Sequence, residues 1–485
     1  MNLPLIIQGG MGVGVSDWRL AKTVSTLGQL GVVSGTGINT VLIRRLQNGD
    51  AKGDVRRAMS SFPDPQFVQG VLKLYFLAEG RPKGKSYLRS PLPSINPPLF
   101  FQRLNVLASF VEVFLAKENH EGIIGINFLE KLQTSNLSGI YGAMLARVDY
   151  VLMGAGIPRE IPGVLDLFSE QKEVSVKANF ISTKVQSNIQ INFDPAQILP
   201  NHKNISLKRP KFLAIVSSDT LATHLASKST GHVDGFIIEG YSAGGHNAPP
   251  RGPLHLSTIG EPIYGLKDQA NLEAIKKIGL PFWMAGTFGS PEKIKQALNL
   301  GAVGVQVGTA FAFCNESGLS KKLREDVIKK WCFTENSEPL PVFTDPQASP
   351  TGFPFKVVPL EKTLSEHDLY LTRRRKCDLG YLRQAVLRED GSIVYRCSAE
   401  PVNDFVAKGG QEKDTLNCKC LCNALLSNIG LGQIQENEQE NGYEELPLLT
   451  AGDDIIHLKQ FLPKNKKSYS AQDVINYLIN DIKTA

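Results

Sequence analysis

Eight short apolar runs constrain this chain more than any other feature. They fall at 3–7, 31–37, 123–127, 149–156, 212–218, 235–239, 281–286 and 302–309, and most are separated by a helix-length segment. Each is rich in β-branched residues and closes on glycine or a polar side chain, as strands buried on both faces do. Ser16 and Asp17 stand ahead of Trp18, Leu20, Ala21 and Val24 at helical spacing, a cap before a helix. The pattern predicts an α/β fold, a (β/α)8 TIM barrel over 1–330. A doubly wound sheet would want Gly-x-Gly-x-x-Gly after the first strand, and Gly10, Gly12 and Gly14 lack that spacing.

Two segments interrupt the rhythm. Residues 51–121 hold proline-rich turns and a helix with Phe101, Leu104, Leu107, Val111, Phe114 and Leu115 on one face. We read them as a helical insertion carried on one loop, in the manner of a lid. Residues 174–193 alternate weakly and predict an inserted hairpin. After Trp331 the composition changes, and 331–485 is a C-terminal extension. In it, 339–359 is a proline-rich linker or arm across the barrel, and 433–445 an acidic, solvated loop. Ser470 and Asp473 form a capping box ahead of Val474, Leu478 and Ile482, a terminal helix.

The net charge of +6, from 53 basic and 47 acidic residues, is too balanced for a nucleic-acid surface. No apolar run approaches the roughly 18 residues that span a bilayer, and the N-terminus has no basic leader, so we expect a cytoplasmic protein without membrane contact. Seven cysteines, an odd number, point to reduced thiols. Cys377, Cys397, Cys420 and Cys422 are read as packed thiols and not as a metal site, although their clustering leaves zinc or iron–sulfur open. The run Arg373, Arg374, Arg375 and Lys376 is read as a solvated or carboxylate-paired face, or less simply as a contact for an acyl carrier or the phosphates of coenzyme A.

Barrel chemistry lies at the C-terminal strand ends, with phosphate at the loops after strands seven and eight. Those loops are Gly286-Thr287-Phe288-Gly289-Ser290-Pro291 and Gly308-Thr309-Ala310, each with glycine and hydroxyl residues where backbone N–H groups can converge on an anion. Gln8, Gly9, Gly10, Met11, Asn127, Ser217, Ser218 and Glu239 stand at other strand ends. Amides, a carboxylate and close backbone suit the donor and acceptor edge of a flavin. Glu239 opens a loop that runs through Gly244 and Gly245 to His246, whose side chain exchanges protons near neutrality.

Gln8-Gly9-Gly10-Met11, Asn127, the loop from Glu239 to His246, and Gln306-Val307-Gly308-Thr309 together resemble the nitronate monooxygenase (2-nitropropane dioxygenase) family over roughly 1–330. That family is FMN-dependent and includes flavin enoyl-ACP reductases. The resemblance implies that Asn127, Glu239, Gly244, Gly245, Gly286, Gln306, Val307, Gly308 and Thr309 bind FMN, with Gly10 and Met11 against its ring system. His246 would face the substrate as base or electrostatic partner. Two positions depart: Glu239 stands where glutamine is common, and Thr287 replaces a second glycine. The insertion and extension look like long-form members, among them the enoyl-reductase subunits of polyunsaturated fatty-acid synthases. The resemblance implies oxidation of nitronates or nitroalkanes with dioxygen. The alternatives are an NAD(P)H-dependent enoyl-thioester reductase of fatty-acid or polyketide synthesis, or a non-catalytic flavoprotein subunit of a synthase. The expected partners are a small-molecule substrate, NAD(P)H and a second copy in a homodimer.

Overall fold

A computed structural model describes residues 3–182, 188–200, 205–334, 342–435 and 442–480. The eight runs form strands β1 (Ile6–Gln8), β2 (Gly31–Ser34), β3 (Ile124–Leu129), β4 (Tyr150–Gly154), β5 (Lys211–Val216), β6 (Gly235–Glu239), β7 (Phe282–Ala285) and β8 (Gly304–Val307). All pair in parallel, in the order β1-β8-β7-β6-β5-β4-β3-β2. The ring closes through Leu30, which is bridged to Ile7. The Gln8 N–H donates to the Leu30 carbonyl at 2.9 Å and the Leu30 N–H to the Ile6 carbonyl at 3.1 Å. The fold is the TIM barrel that the spacing predicts.

Ile7, Leu30, Val32, Leu152, Leu213, Ile237 and Trp283 pack inside the barrel, so its interior is a core and not a pore. The indole N–H of Trp283 donates to the Pro4 carbonyl at 2.8 Å, which satisfies its one polar atom. Register sets the working end. Glu239 pairs with Ala285, Ala285 with Gln306, and Asn127 with Ser34, so the polar strand ends meet at one mouth.

The lid expected of 51–121 is not there. Its helix Leu99–Lys117 packs along helices Trp18–Thr26 and Gln133–Leu145 on the outside of the barrel. It is tied down by Glu112, which accepts from the Trp18 N–H and pairs with Arg45, both within 2.8 Å. This is the one helix among the described residues long and apolar enough to cross a membrane, and 72% of its most apolar window is buried in the protein. Its apolar residues go all round, which is the composition of a helix covered on every side. The hairpin at 174–193 is present as Val174–Lys177 paired with Gln190–Phe193, and 183–187 lie outside the described residues.

The extension wraps the barrel instead of standing apart. Gln384–Leu387 pairs with Ile393–Arg396 and also with Ile181–Ser182 of the barrel part. Helix Ala471–Ile479 keeps the capping box of Ser470 and Asp473 and docks on helices Trp18–Thr26 and Pro291–Asn299. The solvated loop expected at 433–445 is wrong at both ends. Gln433, Gln435 and Glu445 are buried, and Ile434–Gln435 pairs with Tyr443–Glu444; residues 436–441 lie outside the described ones. Arg373 is likewise buried, 3.8 Å from Glu445, so its charge faces a carboxylate and not water.

All seven cysteines are free. Cys377, Cys397, Cys420 and Cys422 line one small cavity with Asp378 and Asn423, and burial pushes all four thiols up. Among the described residues no three His, Cys, Asp or Glu side chains are placed to hold a metal.

Candidate active site

A cavity of about 230 Å³ opens at the C-terminal ends of the strands. The residues assigned to the flavin and substrate, Gly10, Met11, Asn127, Glu239, Gly244, Gly245, His246, Gly286, Gln306, Val307, Gly308 and Thr309, all line its wall. Gln8, Ser217, Ser218, Gly289, Ser290 and Pro291 do not: the Gln8 amide is spent on Ser16 and the Val32 N–H, and Ser218 and Ser290 cap helices. Two of the lining residues carry buried oxygens without partners, Oδ1 of Asn127 and Oε1 of Gln306. The Asn127 amide is oriented by its other end, which donates to the Gly10 carbonyl at 3.1 Å. Buried acceptors with no donor are costly, and a ligand with N–H or O–H groups would relieve them.

Glycine keeps the wall open at two points. A Cβ at Gly245, whose φ is +82°, would meet nothing within 4 Å, and one at Gly308 would meet only the Met11 sulfur at 3.8 Å. Backbone N–H groups there can approach a flat or anionic ligand. The departure at Thr287 has a visible cost. It takes φ +58°, a left-handed conformation that a β-branched residue rarely adopts. Its hydroxyl donates to the Gly286 carbonyl at 2.8 Å.

His246 is held from the extension. Its Nε2 lies 2.7 Å from Ser349 Oγ, and its ring stands edge-on to Phe355 at 4.9 Å. The loop and the arm also pair by backbone. The Asn247 N–H donates to the Pro354 carbonyl and the Lys356 N–H to the Gly245 carbonyl, each at 2.9 Å. Burial, assisted by the nearby Lys131 ammonium, lowers the imidazole to about 4, so it is neutral at physiological pH. Burial pushes the Glu239 carboxyl up to about 7. The site thus holds a neutral proton acceptor and a carboxyl that titrates near neutrality.

Most of the far wall, all but Phe355 of the proline-rich arm, was invisible in sequence. Phe355, Leu425, Asn428 and the strap from Leu449 to Gly452 line the cavity, with Asp454 beside them. The strap is fixed at four points: Val358 N–H to the Leu449 carbonyl at 3.0 Å, Gly245 N–H to Thr450 Oγ1 at 2.7 Å, Gly452 N–H to Thr309 Oγ1 at 3.0 Å, and Asp453 N–H to the Ser242 carbonyl at 3.0 Å. The proline-rich arm was expected across the barrel, and nothing in the sequence marked the strap. A Cβ at Gly244 would lie 2.7 Å from the Ala451 carbonyl carbon, which is why the loop is glycine there.

The donor set fits FMN. Unpartnered amide oxygens, open glycine backbone and a hydroxyl at the loop after β8 suit a ring with N–H and carbonyl groups and a phosphate tail.

Comparison with known proteins agrees with the motifs from Glu239 to Thr309, while Gln8 to Met11 and Asn127 lie outside the residues that the family model matches. The nitronate monooxygenase family model matches residues 173–334. A probable nitronate monooxygenase of Bacillus subtilis (strain 168) is 31% identical over 123 residues, which are 25% of this chain and 33% of that protein. The chain therefore spans about a third of the length of this curated relative. Among solved structures, FabK from Thermotoga maritima has a TM-score of 0.49 at 14% identity, over 99% of this chain and 93% of that one. Nitroalkane oxidase from Streptomyces ansochromogenes has a TM-score of 0.43 at 16% identity, over 99% and 96% of the two chains. The enoyl reductase domain of MlnA from Bacillus amyloliquefaciens has a TM-score of 0.48 at 11% identity, again over 99% and 96%. Over residues 173–334, which hold β5 to β8 and the loop to His246, this chain carries the sequence pattern of the nitronate monooxygenase family.

Proposed function

We propose that this protein is an FMN-dependent oxidoreductase that oxidises nitronates or nitroalkanes with dioxygen. One observation carries the proposal: His246, neutral and oriented by Ser349, shares a cavity with the unpartnered Asn127 and Gln306 oxygens and the glycine-rich strand ends. Asn127, Glu239, Gly244, Gly245, Gly286 and Gln306 through Thr309 would hold the flavin, with Gly10 and Met11 against its rings. FMN, when bound, supplies electron transfer between an organic substrate and dioxygen. The protein's own part is proton handling and orientation. A neutral imidazole can accept the α-proton of a nitroalkane, and Ser349 keeps it pointed while it does so. Leu129, Ile215, Phe355 and Leu449 on the wall exclude water from the reacting carbon.

The low proton affinity of His246 favours a second reading. An enoyl-thioester reductase asks no side chain to abstract a carbon-bound proton, and there His246 would orient the thioester carbonyl or the nicotinamide of NAD(P)H. The Glu239 carboxyl, titrating near 7, could supply the proton that reduction consumes.

His246→Ala separates the readings. Under the first, the variant keeps its FMN and loses about 10²–10⁴-fold in turnover of a neutral nitroalkane. A preformed nitronate has already given up that proton and loses much less. Under the second, nitroalkanes are not turned over by either protein, and flavin reduction by NAD(P)H is impaired. Equal small effects on every substrate would leave His246 a loop residue and the proposal without support.

A further inference from the structure

The barrel and its cavity leave the basic run at 373–376 and the cysteines that follow it without a role. Cys377, Cys397, Cys420 and Cys422 come from three separate segments of the extension and line one cavity, and Lys376 lines it with them. Packed thiols account for the sulfur and leave Arg373 unexplained. Its side chain is 1% exposed, and none of its three nitrogens has a hydrogen-bond partner among the described residues. Glu445 lies 3.8 Å away without bonding it, and burial pushes that carboxyl up to about 7, so it is a poor counter-charge near neutrality. The acids on the cavity wall are already engaged: Asp378 accepts from Asn423 Nδ2 at 2.6 Å, and Glu400 pairs with Lys408 at 2.8 Å. A guanidinium buried with all its donors unpaired is costly, and neutral thiols offer it no charge. Four thiolates would.

We propose that the four cysteines hold an iron–sulfur cluster, with Arg373 as the buried cation that balances it. Ligation by four cysteines is what both two-iron and four-iron clusters use. Four thiolates around a core of charge about 2+ leave a net charge of about 2−, which the guanidinium and Lys376 offset. The arrangement speaks against a single ion. Zinc would need all four sulfurs within about 2.3 Å of one point, and no three of these side chains are placed to hold an ion. In a cluster, iron and bridging sulfide span that gap. One short helix, Leu421–Asn428, joins this site to the candidate active site. Cys420 and Cys422 stand at its start, and Leu425 and Asn428 near its other end line the active-site cavity; the helix is about 12 Å long.

The test is chemical analysis. Full-length protein, made without a metal-affinity tag and purified anaerobically, is reconstituted with ferrous iron and sulfide, desalted, and assayed for iron, acid-labile sulfide and zinc. Sulfide is the decisive count, since neither a flavin nor a zinc site contains it. Iron and sulfide are expected in equal amounts, at least about two of each per chain. Cys420→Ser should lose at least about tenfold of both, with an unchanged circular dichroism spectrum. Cys377→Ser repeats the measurement if that variant fails to fold. Only traces of iron and sulfide in the wild type, or one zinc per chain without sulfide, would overturn the cluster. So would a cluster retained in full by both variants, whose ligands would then lie elsewhere.

Discussion

His246 Nε2 lies 2.7 Å from the Oγ of Ser349, a residue 103 positions further along the chain. Ser349 is itself buried and fixed, 2.8 Å from Thr351 Oγ1 and accepting from the Thr351 N–H at 3.2 Å. The loop after β6 supplies the imidazole, and the extension sets its direction. Ser349→Ala should cost about 1 kcal/mol of stability. Turnover should fall about ten- to a hundredfold as the ring loses its orientation. FMN content should not change. Melting curves, absorbance of released flavin and steady-state rates on one preparation check all three, and an unaltered kcat would show that Phe355 alone positions the ring.

The half-buried carboxyl of Glu239 makes stability depend on pH with a definite sign. Its folded pKa is raised from 4.5 to about 7, so its contribution is fully present below 4.5 and is lost as pH rises toward 7. His246 works the other way. Its pKa is lowered from 6.5 to about 4, so its contribution is present above 6.5 and is lost as pH falls toward 4. The two slopes oppose each other in the wild type. Glu239→Gln removes one of them, so the gap in melting temperature between variant and wild type should grow in the variant's favour from pH 5 to pH 7.5. A gap that stays constant would place Glu239 in contact with water.

Gly308→Val tests the phosphate end of the proposed flavin site. The backbone there, at φ −106°, admits any L-residue, and a Cβ would make only an ordinary contact with Met11. The barrel should therefore fold normally. The branches of valine would fill the space where a ligand meets the backbone, and FMN affinity should fall about tenfold or more. Retention of full flavin content would place the phosphate elsewhere.

Thr287, at φ +58°, holds a conformation that costs a β-branched residue about 1–2 kcal/mol. Thr287→Gly should raise stability by up to about 1 kcal/mol once the lost hydroxyl contact to Gly286 is counted. Thr287→Ala keeps the strained backbone, loses the hydroxyl, and should lower it. If both variants melt below wild type, the bonds of the Thr287 hydroxyl to Gly286 and Ser242 outweigh the strain.

Much of the site was legible because barrel strands announce themselves locally. A run such as Gly235 to Glu239 is apolar, β-branched and closed by one polar residue, and parallel register carries that residue to the mouth with those of its neighbours. Twelve residues chosen from such strand ends and loops meet in one cavity for this reason. The strap around Gly452 carries no comparable mark. Its place depends on Ser242, Gly245 and Thr309, more than 140 residues away, and nothing in a short window encodes such a partner. The helix Leu99–Lys117 failed differently. One apolar face was noticed, while Val106, Ala108, Phe110 and Val113 on its other sides, all buried, said that it is covered all round. Glu445 was read as solvated from the acidic residues near it, but its side chain turns inward to Arg373.

The strap also fixes an order of events during synthesis. A chain leaves the ribosome N-terminal end first, and domains begin to fold as they emerge. All eight strands are made before Thr450, and β1 can close on β8 while the segment from Leu449 to Asp454 is still inside the tunnel. For that interval the barrel has a mouth with one wall absent. A small molecule can enter then from the side that the strap later covers, and in the finished protein that side is a wall.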